Sequence, residues 1–141
     1  MFTPYGFGGL IAFASGGNKA SKTKEDKTMN HQRLKCYCIL LNVAKKMPSL
    51  VRQLPRGEHF ILDQLKRALA SAILNLSEGN GRTSHKERAR FFDISLASIS
   101  ESASAIDIIN AYGYISQQIA EEIKSHLRMA YAMIRKLQKL T

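Results

Sequence analysis

The amino-acid sequence predicts an all-α fold, an antiparallel up-down-up-down four-helix bundle, from three observations. Apolar residues recur at three- and four-residue steps in four segments, and no stretch alternates convincingly as a strand would. Trp is absent and Pro occurs three times, which suits a helical protein. The connections between segments are about five residues long, so consecutive helices should pack as antiparallel neighbours. The 141 residues, 45% of them hydrophobic, suffice for one domain with a core.

The first 28 residues differ from the rest of the chain. "MFTPYGFGGLIAFASGG" combines glycines and aromatics without a period, and "NKASKTKEDKT" is polar. The segment lacks the basic start of a signal peptide, and its apolar run is short. We predict a flexible N-terminal extension over residues 1–28 and a four-helix bundle domain over residues 29–141. A translation start at Met29 is the alternative.

The first two predicted helices cover residues 31–53 and 58–78. Pro48 lies inside the first, where it must kink or split the helix because it lacks an amide donor and crowds the preceding turn. Gly79 and Gly81 follow the second and are expected to end it, since glycine favours the positive φ of a helix end. The apolar faces comprise Cys36, Ile39, Leu40, Val43, Met47 and Leu50, then Leu62, Leu65, Leu69, Ala72, Ile73 and Leu76.

The third and fourth predicted helices cover residues 85–112 and 117–139. Ser84 and Glu87 form a capping-box pattern, Gly113 supplies the left-handed turn after the third helix, and Ser116 caps the fourth. Small residues on the third helix would let a helix of the same bundle, the preferred interpretation, or of another subunit approach closely. This small face comprises Ser95, Ser98, Ser102 and Ala105, and the core stripe of the fourth helix comprises Ile119, Ile123, Leu127, Ala130, Ile134 and Leu137.

A polar line runs along the second predicted helix. Its members, at four-, four- and three-residue steps, are Arg67, Ser71, Asn75 and Glu78. Ser71 and Asn75 could bridge the gap between the charged ends of the line. We interpret it as a structural contact that sets helix register or joins subunits, with ligand binding as the alternative. Gly79 and Gly81 do not form a phosphate-binding Walker loop, which needs G-x-x-x-x-G-K-[ST] after a strand.

Residues of about 29–141 resemble a known family, and the pattern is specific as a set. It comprises Gln64, Leu65, Arg67, Ala68, Ser71, Asn75, Glu78, Gly79, Gly81 and Arg82, then Ser84, Glu87, Arg90, Phe91, Ala97, Ser98 and Glu101. The pattern resembles four-helix-bundle proteins encoded by intervening sequences of 23S ribosomal RNA genes, and their relatives, the accessory proteins of diversity-generating retroelements. The resemblance implies a ring-like homo-oligomer, a pentamer. In the retroelement branch it implies a reverse transcriptase and template RNA as partners, and in the other branch it supplies no established activity.

The chain is strongly basic, with twenty-one bases against eleven acids and a formal net charge of +10. Such an excess favours a polyanionic partner. Four bases of the fourth helix fall within an arc of about 60°, roughly opposite its core stripe, and four more lie around the turn before the third helix. These predicted binding residues are Lys124, Arg128, Arg135 and Lys139, with Tyr131 at the edge of the arc, and Arg82, Lys86, Arg88 and Arg90. We predict phosphate contact with RNA or DNA, RNA being favoured, and base stacking on Tyr131. The alternative is an oligomeric scaffold that recruits a protein partner without binding nucleic acid.

The sequence predicts no catalytic centre, cofactor or metal site. The four histidines lack ligand spacing, and the serines lie on helices without a nucleophile elbow. Cys36 and Cys38 point to different sides of a helix and cannot bond to each other, which favours a reducing compartment and hence the cytoplasm. No apolar run is long enough to span a membrane.

Overall fold

The computed structural model describes residues 30–140, which form helices and contain no strand. A 3-10 turn, Asn30–Arg33, precedes five α-helices. These are α1 (Lys35–Ala44), α2 (Met47–Gln53), α3 (His59–Gly81), α4 (His85–Ala111) and α5 (Gln117–Lys139). The predicted extension over residues 1–28 and the start of the predicted domain at Met29 lie outside the described residues. None of the five helices combines the length and the apolar character that crossing a membrane requires.

Pro48 splits the first predicted helix into α1 and α2. The amides of Lys45 and Lys46 bond to the carbonyls of Leu41 and Val43 at 2.9 and 3.0 Å, which closes the end of α1. Because α2 begins at Met47, Pro48 occupies its first turn, where a missing amide breaks no helical hydrogen bond. The two short helices together take the place of one helix in the bundle.

The helices pack as a four-helix bundle around one apolar core. α1 contacts α3 and α5, and α4 contacts the same two helices. Each of these helices contributes a completely buried side chain, for example Leu40, Leu65, Ile106 and Ile134. Most of the predicted apolar positions are buried. The half-buried exceptions at the edges of the stripes are Ile39, Ile73, Ile119 and Leu137.

Gly79 allows α3 and α4 to approach closely. A Cβ at this buried position would lie 2.8 Å from Phe92 Cδ1 and 3.1 Å from Phe91 Cβ. The prediction that Gly79 and Gly81 end the helix with positive φ is wrong, because α3 continues through Gly81 and neither glycine has a positive φ. The reason for glycine at position 79 is the packed phenylalanine side chain, not backbone freedom.

The small face of α4 packs against α3 in the same chain. Ser95, Ser98, Ser102 and Ala105 are all buried. Ser95 Oγ donates to the carbonyl of Ala72 at 2.7 Å, and the hydroxyls of Ser98 and Ser71 lie 2.7 Å apart. The buried hydroxyls therefore have partners, and they fix the register between the two helices.

Side-chain caps begin α4 and α5 where the sequence predicts them. Ser84 Oγ accepts from the amide of Glu87 at 3.4 Å, and Ser116 Oγ accepts from the amide of Ile119 at 3.2 Å. Gly113, with φ of 77°, supplies the left-handed turn after α4.

Candidate nucleic-acid interface

Two of the four bases in the predicted arc on α5 form ion pairs within the chain. Lys124 Nζ lies 2.7 Å from both Asp107 Oδ1 on α4 and Glu121 Oε1, and Arg128 Nη2 lies 3.3 Å from Glu121 Oε2. The hydrogen bonds to Asp107 and Glu121 raise the pKa of Lys124. Those from Lys124 and Arg128 lower the pKa of Glu121. Lys124 and Arg128 are thus already partly neutralised within the chain.

The prediction that the arc lies opposite the core stripe is wrong, because the arc adjoins α4. The side chain of Lys124 is 17% exposed, which a position opposite the core would not allow. At about 100° per residue, the arc is centred about 110° from the centre of the buried positions of α5, so one edge of the arc meets the neighbouring helix. Tyr131 lies on that side, where it lines an apolar groove between α4 and α5 together with Ile99 and Leu127.

The other two bases of the arc, Arg135 and Lys139, are exposed near the end of α5. Arg135 Nη1 donates to Gln138 Oε1 at 3.0 Å. Neither base belongs to an ion pair within residues 30–140. Both side chains are therefore open to solvent.

Of the four bases around the turn before α4, two contact other side chains of the bundle and two are exposed. Arg82 pairs with Glu78, and its guanidinium lies 5.1 Å from the ring centre of Phe91. The guanidinium of Arg88 lies 5.9 Å from the ring centre of Phe92, and its Nε is buried without a hydrogen-bond partner among the described residues. Lys86 and Arg90 are exposed.

The polar line of α3 does not act as one chain of contacts. Asn75 Nδ2 donates to the carbonyl of Ser71 at 2.8 Å and to its hydroxyl at 3.2 Å. Glu78 pairs with Arg82 one turn further along, so the predicted bridge to Arg67 is wrong, and Arg67 lies exposed. Ser71 and Asn75, in the middle of the line, support the contact between α3 and α4. At the two ends, Arg67 is exposed and Glu78 pairs with Arg82.

The fold gathers four helix ends at one end of the bundle. Gln138, near the end of α5, donates to Asp93 Oδ1 at 2.6 Å and to the carbonyl of Ala89 at 3.4 Å, both near the start of α4. His31 precedes α1 and lines a surface depression with Ser77 and other residues at the end of α3. The start of α1 therefore lies near the end of α3, and the start of α4 near the end of α5.

This end of the molecule, which we call the basic end, has nine bases and three acids. Its bases are Arg33, Lys35, Arg82, Lys86, Arg88, Arg90, Arg135, Lys136 and Lys139, and its acids are Glu78, Glu87 and Asp93. The opposite end has five bases, Lys45, Lys46, Arg52, Arg56 and Lys124, against five acids, Glu58, Asp63, Asp107, Glu121 and Glu122. Most of the positive excess of the described residues is therefore concentrated at one end.

Sequence reasoning missed three members of the basic end, Arg33, Lys35 and Lys136. Each lies near a helix terminus and outside the periodic arc of bases on α5. The antiparallel arrangement predicted from the short connections is the signal that could have found them, because in an up-down bundle the start of the first helix lies beside the end of the fourth.

Other chemistry within residues 30–140 is sparse. No three His, Cys, Asp or Glu side chains of this part are grouped so that they could hold a metal ion. Cys36 and Cys38 are both free thiols, the first buried and the second exposed. Burial raises the pKa of the Cys36 thiol, which makes it less reactive.

The chain is similar to a known protein family. A family profile described as 23S rRNA-intervening sequence protein matches residues 32–136, which span nearly the whole described bundle. A search of curated proteins found no match.

Proposed function

Because the chain belongs to the 23S rRNA-intervening sequence protein family, we propose that it is a self-associating, non-catalytic helical bundle that binds nucleic acid, RNA in particular. The observation that carries the proposal is the basic end. Its exposed members include Lys86, Arg90, Arg135 and Lys139, which lie near the start of α4 and the end of α5 in the same part of the surface.

The chemistry of the basic end fits phosphate groups better than bases. Lysine and arginine on separate helix ends can follow a backbone of regularly spaced charges, and such contacts carry no sequence information by themselves. The only aromatic residue of the predicted site, Tyr131, lines the apolar groove and lies away from the helix ends. The proposed binding is therefore largely independent of sequence.

The proposed architecture is an up-down-up-down arrangement of antiparallel helices. Two contacts support it: Lys124 meets Asp107 where α5 begins and α4 ends, and Gln138 meets Asp93 where α5 ends and α4 begins. The proposed assembly is a ring-like homo-oligomer, a pentamer, which would repeat the basic end around its surface. In the cytoplasm, a reverse transcriptase and its template RNA are the proposed partners if the protein serves a retroelement.

Fluorescence anisotropy with a structured RNA and a DNA duplex, at several salt concentrations, tests the nucleic-acid proposal. Replacing Lys86, Arg90, Arg135 and Lys139 with Gln should weaken binding to all sequences alike. It should also flatten the plot of log affinity against log salt by about one unit or less for each phosphate that the variant no longer binds. The matched control replaces four exposed bases away from the basic end, Lys45, Arg52, Arg56 and Lys66, and removes the same charge.

Two results would contradict the nucleic-acid proposal. Equal loss of affinity in both variants would mean that net charge, and not the basic end, governs binding. Absence of binding by the wild-type chain at low salt would leave the second candidate function, an oligomeric scaffold for a protein partner. Exposed apolar side chains on α3 and α4, such as Phe60, Leu74 and Ile108, favour that scaffold as the alternative.

A further inference from the structure

Two stripes of exposed residues have the same pattern on neighbouring helices. The α3 stripe consists of Phe60, Arg67 and Leu74, and the α4 stripe consists of Ile94, Glu101 and Ile108. Seven-residue steps keep each set on one face, because seven residues make nearly two helical turns. Each stripe therefore presents an apolar residue, a charge and an apolar residue in sequence.

The apolar members of both stripes are open to solvent. Phe60 is 75% exposed and Leu74 is 67% exposed, whereas Ile94 and Ile108 are 37% and 41% exposed. On α4 the exposed positions three residues after Ile94 and Glu101 are small, Ala97 and Ser104, which would let the backbone of another helix approach. The corresponding exposed positions on α3 are Asp63 and Ala70.

The two charges of the stripes have opposite signs and no charged partner within residues 30–140. Arg67 and Glu101 are both exposed, and neither belongs to an ion pair in this part of the chain. By contrast, the acidic residues that lie between α5 and its neighbours are paired, namely Glu121, Glu122 and Asp107. The charges of the stripes are thus left for a contact outside the described bundle.

The packing of α3 on α4 places the members of the two stripes at matching heights. Ser71 lies beside Ser98, Ser95 bonds to Ala72, and Gly79 lies against Phe92. Extending this register along the helices puts Phe60 level with Ile108, Arg67 level with Glu101, and Leu74 level with Ile94. A second copy that lays its α4 on the first copy's α3 can therefore match all three positions at once.

We propose that the α3 stripe of one copy packs on the α4 stripe of a second copy. Arg67 then pairs with Glu101 of the partner subunit, and an apolar contact on either side shields the pair. This inference rests on the proposed self-association and names the surface responsible for it. The occupant is a second copy because one chain carries both complementary halves.

Charge also selects this pairing over the simplest alternative. Two α3 stripes packed antiparallel would match Phe60 with Leu74 but would bring two Arg67 side chains together, and like charges at an interface are unfavourable. The α3–α4 pairing replaces that repulsion with attraction. The helices have 23 and 27 residues, about 35 to 40 Å in length, which is enough for a contact area on the order of 800 Å² per partner.

Charge reversal in the full-length chain, followed by light scattering over a range of micromolar concentrations, tests the interface. Arg67→Glu and Glu101→Arg should each raise the dissociation constant of self-association at least about tenfold. The double variant R67E/E101R should restore most of the wild-type value, because the attraction returns with its sign exchanged. Lys66→Glu is the matched control, since it makes the same charge change at an exposed position beside the stripe.

The possible outcomes distinguish failure of the proposed interface from failure of the proposed self-association on which it depends. A wild-type chain that stays monomeric would overturn both. An assembly that survives both single reversals, or that the double variant fails to restore while its helical circular dichroism and thermal melt match the wild type, would overturn only the interface. If the Lys66→Glu variant dissociates as readily as the Arg67→Glu variant, net charge and not the stripe controls assembly, and the interface is likewise overturned.

Discussion

At the scale of single residues, Gly79 is the position where α3 depends most directly on its neighbour. A side chain there meets the ring of Phe92 at 2.8 Å, and that ring is fully buried and cannot swing into solvent. The tight contact explains why the helix accepts glycine, a poor helix former, in its last turns.

We expect Gly79→Ala to lower the free energy of unfolding by about 1–3 kcal/mol, the usual cost of forcing an extra group into a packed core. Gly81→Ala is the control, because a Cβ at that exposed helical position has no neighbour within 4 Å. The control should leave stability unchanged or raise it by up to about 1 kcal/mol. Urea denaturation measures both variants, and equal midpoints for the two would contradict the packing argument.

Asn75 gives a second prediction at this scale. Its amide bonds to the carbonyl and the hydroxyl of Ser71, but that hydroxyl also has Ser98 as a partner. Asn75→Ala therefore leaves no buried group stranded, and we expect a loss of about 1 kcal/mol, the value of an ordinary hydrogen bond. The control is Ser77→Ala, which removes only a bond to the carbonyl of Ile73 in the same helix. An unchanged urea midpoint for the Asn75 variant would show that the bond contributes nothing.

At the scale of helices, ion pairs join α5 to both of its neighbours. Lys124 connects α5 to Asp107 of α4, and Lys46, just before α2, pairs with Glu122. The hydrogen bond from Lys46 lowers the pKa of Glu122, and those from Lys124 and Arg128 lower the pKa of Glu121. In each pair the carboxylate is open to solvent, so each pair contributes modestly and is weakened by salt.

The lowered pKa values of Glu121 and Glu122 make the stability of the folded chain depend on pH, and the direction of that dependence is defined. A carboxylate whose pKa is lower in the folded chain stabilises it above the ordinary value of 4.5, and that stability is lost as the pH falls through the lower folded pKa. We expect the melting temperature to fall from about pH 5 downward, and Glu121→Gln to reduce that fall. Asp63→Asn is the control, since Asp63 is exposed and belongs to no ion pair within the described bundle. Parallel pH profiles for the Glu121 variant and the wild type would contradict the prediction.

At the scale of the whole molecule, charge is distributed unevenly along the bundle. The described residues include seventeen bases and nine acids, an excess of eight out of the +10 of the chain. Because the excess lies mainly at one end, the field there is stronger than the net charge alone implies. A ligand with many phosphates would meet that end first, and the stripes proposed for self-association lie along the sides of the bundle.

Truncation tests whether the bundle is sufficient for both folding and binding. Residues 1–28 include four bases and two acids, so their removal changes the net charge by only two. We expect the 29–141 chain to keep the melting temperature of the full chain. We also expect it to bind nucleic acid with a salt dependence shallower by about four units at most, one or less for each base removed. Thermal melts and anisotropy titrations of both chains measure this. A melting temperature lower by many degrees would show that the first residues pack on the bundle.

The sequence by itself determined the helices and their boundaries wherever local chemistry sets them. Ser84 and Ser116 cap helices because a hydroxyl at that position satisfies a free amide, and Gly113 turns the chain because its backbone tolerates positive φ. The apolar periodicity likewise identified most of the buried positions of α3 and α5, since burial follows the helical repeat.

Only the tertiary structure decided the features that depend on which residues meet across helices. Gly79 faces Phe92, Lys124 meets Asp107, and Lys46 meets Glu122, and none of these contacts follows from spacing along one helix. The basic end has the same origin, because Arg33 and Lys136 lie more than a hundred positions apart in the chain and belong to one surface only after the helices have packed. Helical periodicity sets the direction in which a side chain points from the axis of its helix. Packing between helices decides which residues that side chain contacts.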